Sequence, residues 1–163
     1  MPTTPKTSAS PKPAAPAKDA IALLKADHEE VSGLFAEYER TRSVNNKKAL
    51  VAEICTALAV HMQIEEEIFY PAVKAELKDH LMVPEATVEQ AGAKALMAQI
   101  EGITPDGEMY DAKVKVLSEY IKHHVKEEHT EMFPKAKASA LDTMELGARM
   151  AARKAQLMAA AKA

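Results

Sequence analysis

From Ile21 onward the apolar positions of the chain fall at intervals of three and four: Ile21, Leu24, His28, Val31, Phe35 and Tyr38. An α-helix turns once in 3.6 residues, so these positions line one face and predict an amphipathic helix that Asp19 can cap. After Asn45-Asn46 the same spacing gives a second helix through Val51, Ile54, Leu58, His61, Glu65, Ile68 and Ala72, ending before a polar connector near Lys78 to His80. Pro84 suits the first turn of a third helix, with Ala86, Gln90, Ala93, Met97 and Ile100 on its apolar face, and Pro105-Asp106-Gly107 signals the turn that follows. Val114, Leu117, Ile121, His124, Glu128 and Met132 make a fourth helix that Pro134 is expected to close. From about Leu141 to Ala160, Met144, Leu146, Met150, Leu157 and Met158 alternate with Arg149, Arg153 and Lys154. That pattern predicts an amphipathic C-terminal helix, packed on the other four or on a partner.

The expected fold class is all-α: an up-down-up-down four-helix bundle over 18–136, with an extra C-terminal helix over 137–163. Residues 1–17 hold five of the nine prolines among Ala, Ser, Thr and Lys, a composition that buries too little apolar surface to order itself, so a disordered tail is expected there. No strand-like run of Val, Ile, Thr and Tyr interrupts the helical pattern.

Three imidazoles and two carboxylates sit in seams that are otherwise apolar, and they recur. His61, Glu65 and Pro71 return 63 positions later as His124, Glu128 and Pro134, within His-x3-Glu segments that set both side chains on one helix face. The first and third helices are related as well: His28, Val31, Leu34 and Glu39 map at an offset of 62 onto Gln90, Ala93, Leu96 and Glu101. The chain is therefore two helix pairs with pseudo-symmetry, and where that symmetry calls for a histidine opposite His28 it has Gln90.

Buried carboxylates need compensation, because an isolated one costs several kcal/mol and otherwise neutralises. A metal ion supplies it; a buried His–Glu hydrogen-bond network is the alternative. The donors are imidazole and carboxylate without thiolate, which disfavours Cys-type structural zinc and is rich in nitrogen for calcium or magnesium. Iron leads, then manganese or zinc. His28, His61 and Glu65 make the two-His-one-carboxylate set associated with non-haem Fe(II), which leaves positions open to small molecules. Glu65 and Glu128 can each bridge two metals about 3.5 Å apart. Ferritin-like bundles use Glu-x-x-His instead, and that motif does not occur in this chain.

Asp27-His28, His61-x3-Glu65-Glu66 with Phe69-Tyr70-Pro71, and His124-x3-Glu128 with Phe133-Pro134 together resemble the hemerythrin-like family, also called HHE cation-binding domains, over about residues 19–136. The resemblance implies a four-helix bundle around a non-haem di-iron centre. Carried over by position, its ligands are His28, His61, Glu65, His124 and Glu128, and the third-helix ligand falls on Gln90 where the family has histidine. Oxygen-carrying members have a further histidine four residues on, where this chain has Lys94. Two irons are expected from the family, with the His28–His61 half-site intact and the His124 half-site weak or empty.

The resemblance also implies binding of dioxygen, peroxide or nitric oxide, for oxygen handling, sensing or detoxification. An iron-storage or metal-sensing bundle, and a metal-free interaction bundle, are the other readings. No nucleophile–base pair or phosphate loop is readable, so catalysis is not the expected role beyond peroxidase-like redox activity.

Charge and composition narrow the partners. A formal net charge of −3 provides no basic surface for nucleic acid or anionic lipid. With neither an apolar leader nor a run of about 18 apolar residues, no membrane role is expected and the cytoplasm is the default. Cys55, the lone cysteine, reads as a small buried hydrophobe. His123 and His129 are expected to point away from the seam, His80 into solvent, and Glu66, Glu67, Glu127 and Glu131 onto a solvated rim. Glu89 is turned about 100° from the seam. Tyr38, Tyr70 and Tyr120 are assigned to core packing, with hydrogen bonding to the ligands from behind as the alternative.

Overall fold

The computed structural model describes residues 18–105 and 107–163; the expected tail over 1–17 and Asp106 of the turn lie outside them. Every regular element among the described residues is helical: α1 (Ala20–Arg40), α2 (Val44–Ile64), α3 (Tyr70–Glu76), α4 (Met82–Glu101), α5 (Glu108–Glu127), α6 (Phe133–Ala138) and α7 (Thr143–Ala161). Asp19 caps α1 by accepting from the Ala22 N–H at 2.9 Å, as its side chain predicts, and Asp142 caps α7 in the same way through Glu145. Gly107, at φ 127°, leads into α5 in a positive-φ conformation that favours glycine. No helix among the described residues is long and apolar enough to cross a membrane.

Helices α2 and α3 form one rod interrupted by a π turn at Glu65–Phe69, and α5 and α6 form another with a π turn at Glu128–Met132. Each π turn begins at the seam glutamate and stops just short of the proline. Pro71 and Pro134 give no N–H to the carbonyl four residues back, and their rings crowd that carbonyl. Ahead of each proline the ladder therefore opens to i−5, with Tyr70 N–H reaching the Glu65 carbonyl and Phe133 N–H reaching that of Glu128. This corrects one expectation: Pro134 does not close the helix, because the π turn absorbs it and the chain stays helical to Ala138.

Helix α1 packs chiefly on α2, and α4 on α5, so the two pairs of the sequence repeat are also packing pairs. Two apolar clusters fill the interior. One lies around the π turns, with Leu24, Phe69, Phe133 and Met150; the other lies toward the opposite end, with Phe35, Ile54, Ile100 and Leu117. Helix α7 lies across α1, α2 and the first π turn, burying Leu146 and Met150 in the first cluster. Its Gly147 is in close approach to the backbone of Lys18 to Ala20, where no Cβ would fit. Between the two clusters lies a band of buried polar side chains.

Candidate metal centre

That band consists of His28 from α1, His61 from α2, Glu65 and Glu128 from the two π turns, Gln90 from α4 and His124 from α5. All six are buried, the two carboxylates to 0% and 1% exposure. Ligand atoms of His28, His61 and Glu128 lie within 4.8 Å of one another, and so do those of Glu65, His124 and Glu128. Glu128 belongs to both groups. The seam positions of the sequence thus converge at mid-bundle.

In the first pair, His61 Nδ1 donates to Asp27 Oδ2 at 3.0 Å. The proton on Nδ1 leaves the Nε2 lone pair facing Glu65 Oε1 at 2.9 Å and His28 Nε2 at 3.2 Å. His28 is held from behind, its Nδ1 2.8 Å from His129 Nε2, while its Nε2 lies 3.5 Å from Glu128 Oε1. Lys154 of α7 fixes the other oxygen of Asp27 at 2.5 Å.

The second pair repeats the device. His124 Nδ1 donates to Glu89 Oε1 at 3.1 Å, and Nε2 faces Glu128 Oε1 at 3.0 Å. Asp27 and Glu89 are 62 residues apart, the offset that relates His28 to Gln90. At Gln90 the likeness ends. Its amide N–H donates to Glu65 Oε1 and to the Tyr70 hydroxyl, both at 3.0 Å, and that hydroxyl lies 3.0 Å from His124 Nε2.

Lone pairs on three imidazole nitrogens and two carboxylates thus point at one another in the buried interior. Glu65 Oε2, both oxygens of Glu128 and Gln90 Oε1 have no hydrogen-bond partner. Such an arrangement requires positive charge among the donors. Without a cation, protons take that place. Burial opposes the charged form of His61, but Glu65 and Asp27 outweigh it and raise the group to about 10. His124 is raised to about 9 by Glu128, Glu65 and Glu89 against the same opposition from burial. Burial and the neighbouring Glu128 push Glu65 up to about 7. Burial also opposes the charge of Glu128, which is nevertheless held below its ordinary value by Glu65 and the two histidines. Burial and the charge on His61 depress His28 to about 3. Imidazole and carboxylate donors with orphaned oxygens fit a borderline first-row metal ion.

Beside these donors is a cavity of about 20 Å³, walled by Val31, Leu58, Met62, Ala93, Ile121 and Val125 and reaching His28, His61 and His124. It is large enough for one water-sized molecule and is mainly apolar.

Four side chains depart from or add to their sequence assignments. His129 is expected to point away from the seam, yet it holds His28, because the π turn begins at Glu128 and alters the rotation of the residue that follows. Glu89 is off the seam as expected, but its carboxylate reaches around to the back of His124. Tyr70 does more than pack: its hydroxyl enters the polar band. Tyr120, assigned to the core, is 51% exposed. His80 and His123 are exposed, and Cys55 is buried, as their positions predict. Asp27 carried a usable signal in the sequence, since the carboxylate before His28 recurs as Glu89 before Gln90.

The sequence matches the profile of the hemerythrin HHE cation binding domain over residues 19–136. A hemerythrin HHE cation binding domain-containing protein of Mycobacterium kansasii, known from a crystal structure, shares the fold with a TM-score of 0.76 at 24% identity, over 88% of this chain and 89% of that one. A protein of Nostoc sp. (strain PCC 7120) described as a DNA nickase is 27% identical over 111 residues, which is 68% of this chain and 31% of that protein. The chain belongs to the hemerythrin HHE cation-binding domain family.

Proposed function

We propose that this chain is a non-haem iron protein of the hemerythrin type that binds dioxygen or a related small ligand, peroxide or nitric oxide. His28, His61, Glu65, His124 and Glu128 hold the metal in an up-down-up-down bundle, with Gln90 as a weak sixth donor through its free amide oxygen. The observation that carries the reading is the set of facing lone pairs. Asp27 and Glu89 each claim an Nδ1 proton, which leaves His61 Nε2 facing Glu65 and His124 Nε2 facing Glu128, where Glu65 Oε2 and both oxygens of Glu128 have no hydrogen-bond partner. Manganese or zinc would satisfy the same donors, and iron is favoured because open positions on it suit a small ligand.

When bound, the iron supplies reversible redox chemistry and open coordination positions for a diatomic molecule. The chain's own residues orient the donors, exclude bulk water and keep an apolar, water-sized cavity beside them. Binding rather than turnover is the role we assign. The nicking described for the Nostoc relative is not carried over, because the match covers 31% of that protein and the net charge here is −3.

One observation favours metal sensing as a second reading. The path Lys154 to Asp27 to His61 links α7 directly to the centre. An anaerobic optical spectrum of the iron-loaded chain, followed by admission of dioxygen, separates the two. A ligand-to-metal absorption band that appears with dioxygen and fades on its removal supports small-ligand binding. A spectrum indifferent to dioxygen, with α7 becoming protease-sensitive on metal removal, supports sensing.

A further inference from the structure

The two helix pairs treat one face of the repeat in opposite ways. On the first pair, Leu23, Val60, Ile64 and Ile68 lie under α7, packed with Leu146, Met150 and Leu157. The positions related to them by the offsets of 62 and 63 are Glu85, His123, Glu127 and Glu131, and no helix among the described residues covers these. An uncovered face is expected to be polar, but this one is of a single sign in a chain whose 21 basic and 24 acidic residues are otherwise near balance. Glu85, Glu89, Glu127 and Glu131 line a water-sized cleft of about 20 Å³, with no lysine or arginine among its described lining residues, and His124 and Glu128 form its inner wall. Within the rim, His123 Nε2 lies 3.1 Å from Glu127 Oε1 and 3.4 Å from Glu89 Oε2. These three side chains can offer their ligand atoms to one ion. Glu89 faces both ways, one oxygen on His123 and the other on His124. At the inner end, both oxygens of the buried Glu128 are without a hydrogen-bond partner.

We infer that Glu89, His123 and Glu127 form a second, surface metal site, an intake site that captures a divalent first-row cation and passes it along the acidic cleft to Glu128. One imidazole and two carboxylates, partly exposed and completed by water, suit weak and exchangeable binding of Fe(II) or Mn(II) better than permanent retention. The first half of the repeat offers no such route, because α7 covers it and Lys154 places a positive charge on Asp27, the counterpart of Glu89. The destination rests on the reading of the buried centre given above; the surface site itself does not.

The test uses the full chain and Mn2+ as the probe, with free Mn2+ followed by electron paramagnetic resonance. The native chain is expected to bind a weak, rapidly exchanging Mn2+ that His123→Ala and Glu127→Gln each weaken at least tenfold, while His80→Ala, at an exposed histidine elsewhere, leaves it unchanged. Anaerobic Fe(II) loading of the buried centre should slow at least threefold in His123→Ala, with the same final iron content. A Mn2+ titration and a loading rate unaltered by both cleft variants would overturn the intake site. If the native chain holds no metal at the buried centre, the reading of that centre fails, whereas selective loss of weak Mn2+ in His123→Ala still supports the surface site.

Discussion

The amide of Gln90 donates to the Tyr70 hydroxyl at 3.0 Å. Sixty-three residues on from Tyr70 the repeat has Phe133, whose ring stacks on His28 with centroids 6.0 Å apart and planes 9° from parallel. Where α1 supplies an imidazole its aromatic neighbour is apolar, and where α4 supplies an amide its aromatic neighbour carries a hydroxyl. Gln90 and Tyr70 are therefore the paired polar counterparts of His28 and Phe133 in the other half of the repeat. Together they place an N–H and an O–H where the other half offers a lone pair and a ring face.

This pairing predicts that Gln90→His alone gains metal incompletely, because Tyr70 still engages His124 Nε2. Gln90→His combined with Tyr70→Phe should bring the content toward two metals per chain, with stronger charge-transfer absorption in the iron form. Elemental analysis of the three proteins decides it. A native chain that already binds two irons with equal affinity would remove the basis for treating position 90 as a lost ligand.

Metal affinity should rise steeply with pH. His61 and His124 carry protons in the metal-free fold, with values of about 10 and about 9, and those protons must leave when metal binds. Glu65, at about 7, adds a third below neutrality. Between pH 6 and 8 the logarithm of the apparent association constant should climb by roughly two to three per pH unit and flatten above the histidine values. The same shifts fix the sign for the metal-free fold. Both histidines are raised above their ordinary 6.5, so the stability they contribute is fully present below that value and is lost as pH rises through about 9 and about 10. Competition titrations against a chelator, paired with thermal melts of the metal-free chain, test both slopes.

Asp27 sets the proton on His61, and Lys154 fixes Asp27. Asp27→Asn is expected to weaken metal binding about 10- to 100-fold while the bundle stays folded, as loss of an outer carboxylate typically does. Lys154→Met should act in the same direction with a smaller effect. If Asp27→Asn binds metal as tightly as the native chain, the outer carboxylate has no part in presenting Nε2.

Two glycines give opposite predictions for the same substitution. A Cβ at Gly147 would collide with the Lys18 carbonyl oxygen and come within 2.8 Å of the Ala20 nitrogen, and neither backbone atom can yield without moving α7 off α1. Gly147→Ala should cost about 1–3 kcal/mol. At Gly33, inside α1, nothing lies within 4 Å of an added Cβ, so Gly33→Ala should stabilise by about 0.5–1 kcal/mol. Thermal unfolding of the two variants checks both signs.

Much of this was legible in the spacing of residues. The 3-4 seams located the long helices, and the presence of His28, His61, Glu65, His124 and Glu128 among apolar neighbours located the polar band. What the spacing could not supply came from departures from a straight α-helix and from long side chains. A constant rotation per residue directs His129 away from the band, but the π turn that starts at Glu128 turns it onto His28. The signal was present in the prolines six residues after each glutamate, since Pro71 and Pro134 disturb the ladder where a straight helix would be assumed. Glu89 was placed on the correct side of its helix, yet its carboxylate reaches back to His124, a reach that positions on a helical wheel do not show.

The central claim, that the buried histidines and glutamates hold a metal, is tested most directly by counting metal per chain after anaerobic loading with Fe(II) and removal of the excess, in the native protein and in His61→Ala. The account predicts at least one iron retained per native chain, lost in the variant. A native chain that retains no iron, manganese or zinc, or a His61→Ala variant that retains as much as the native chain, would contradict it.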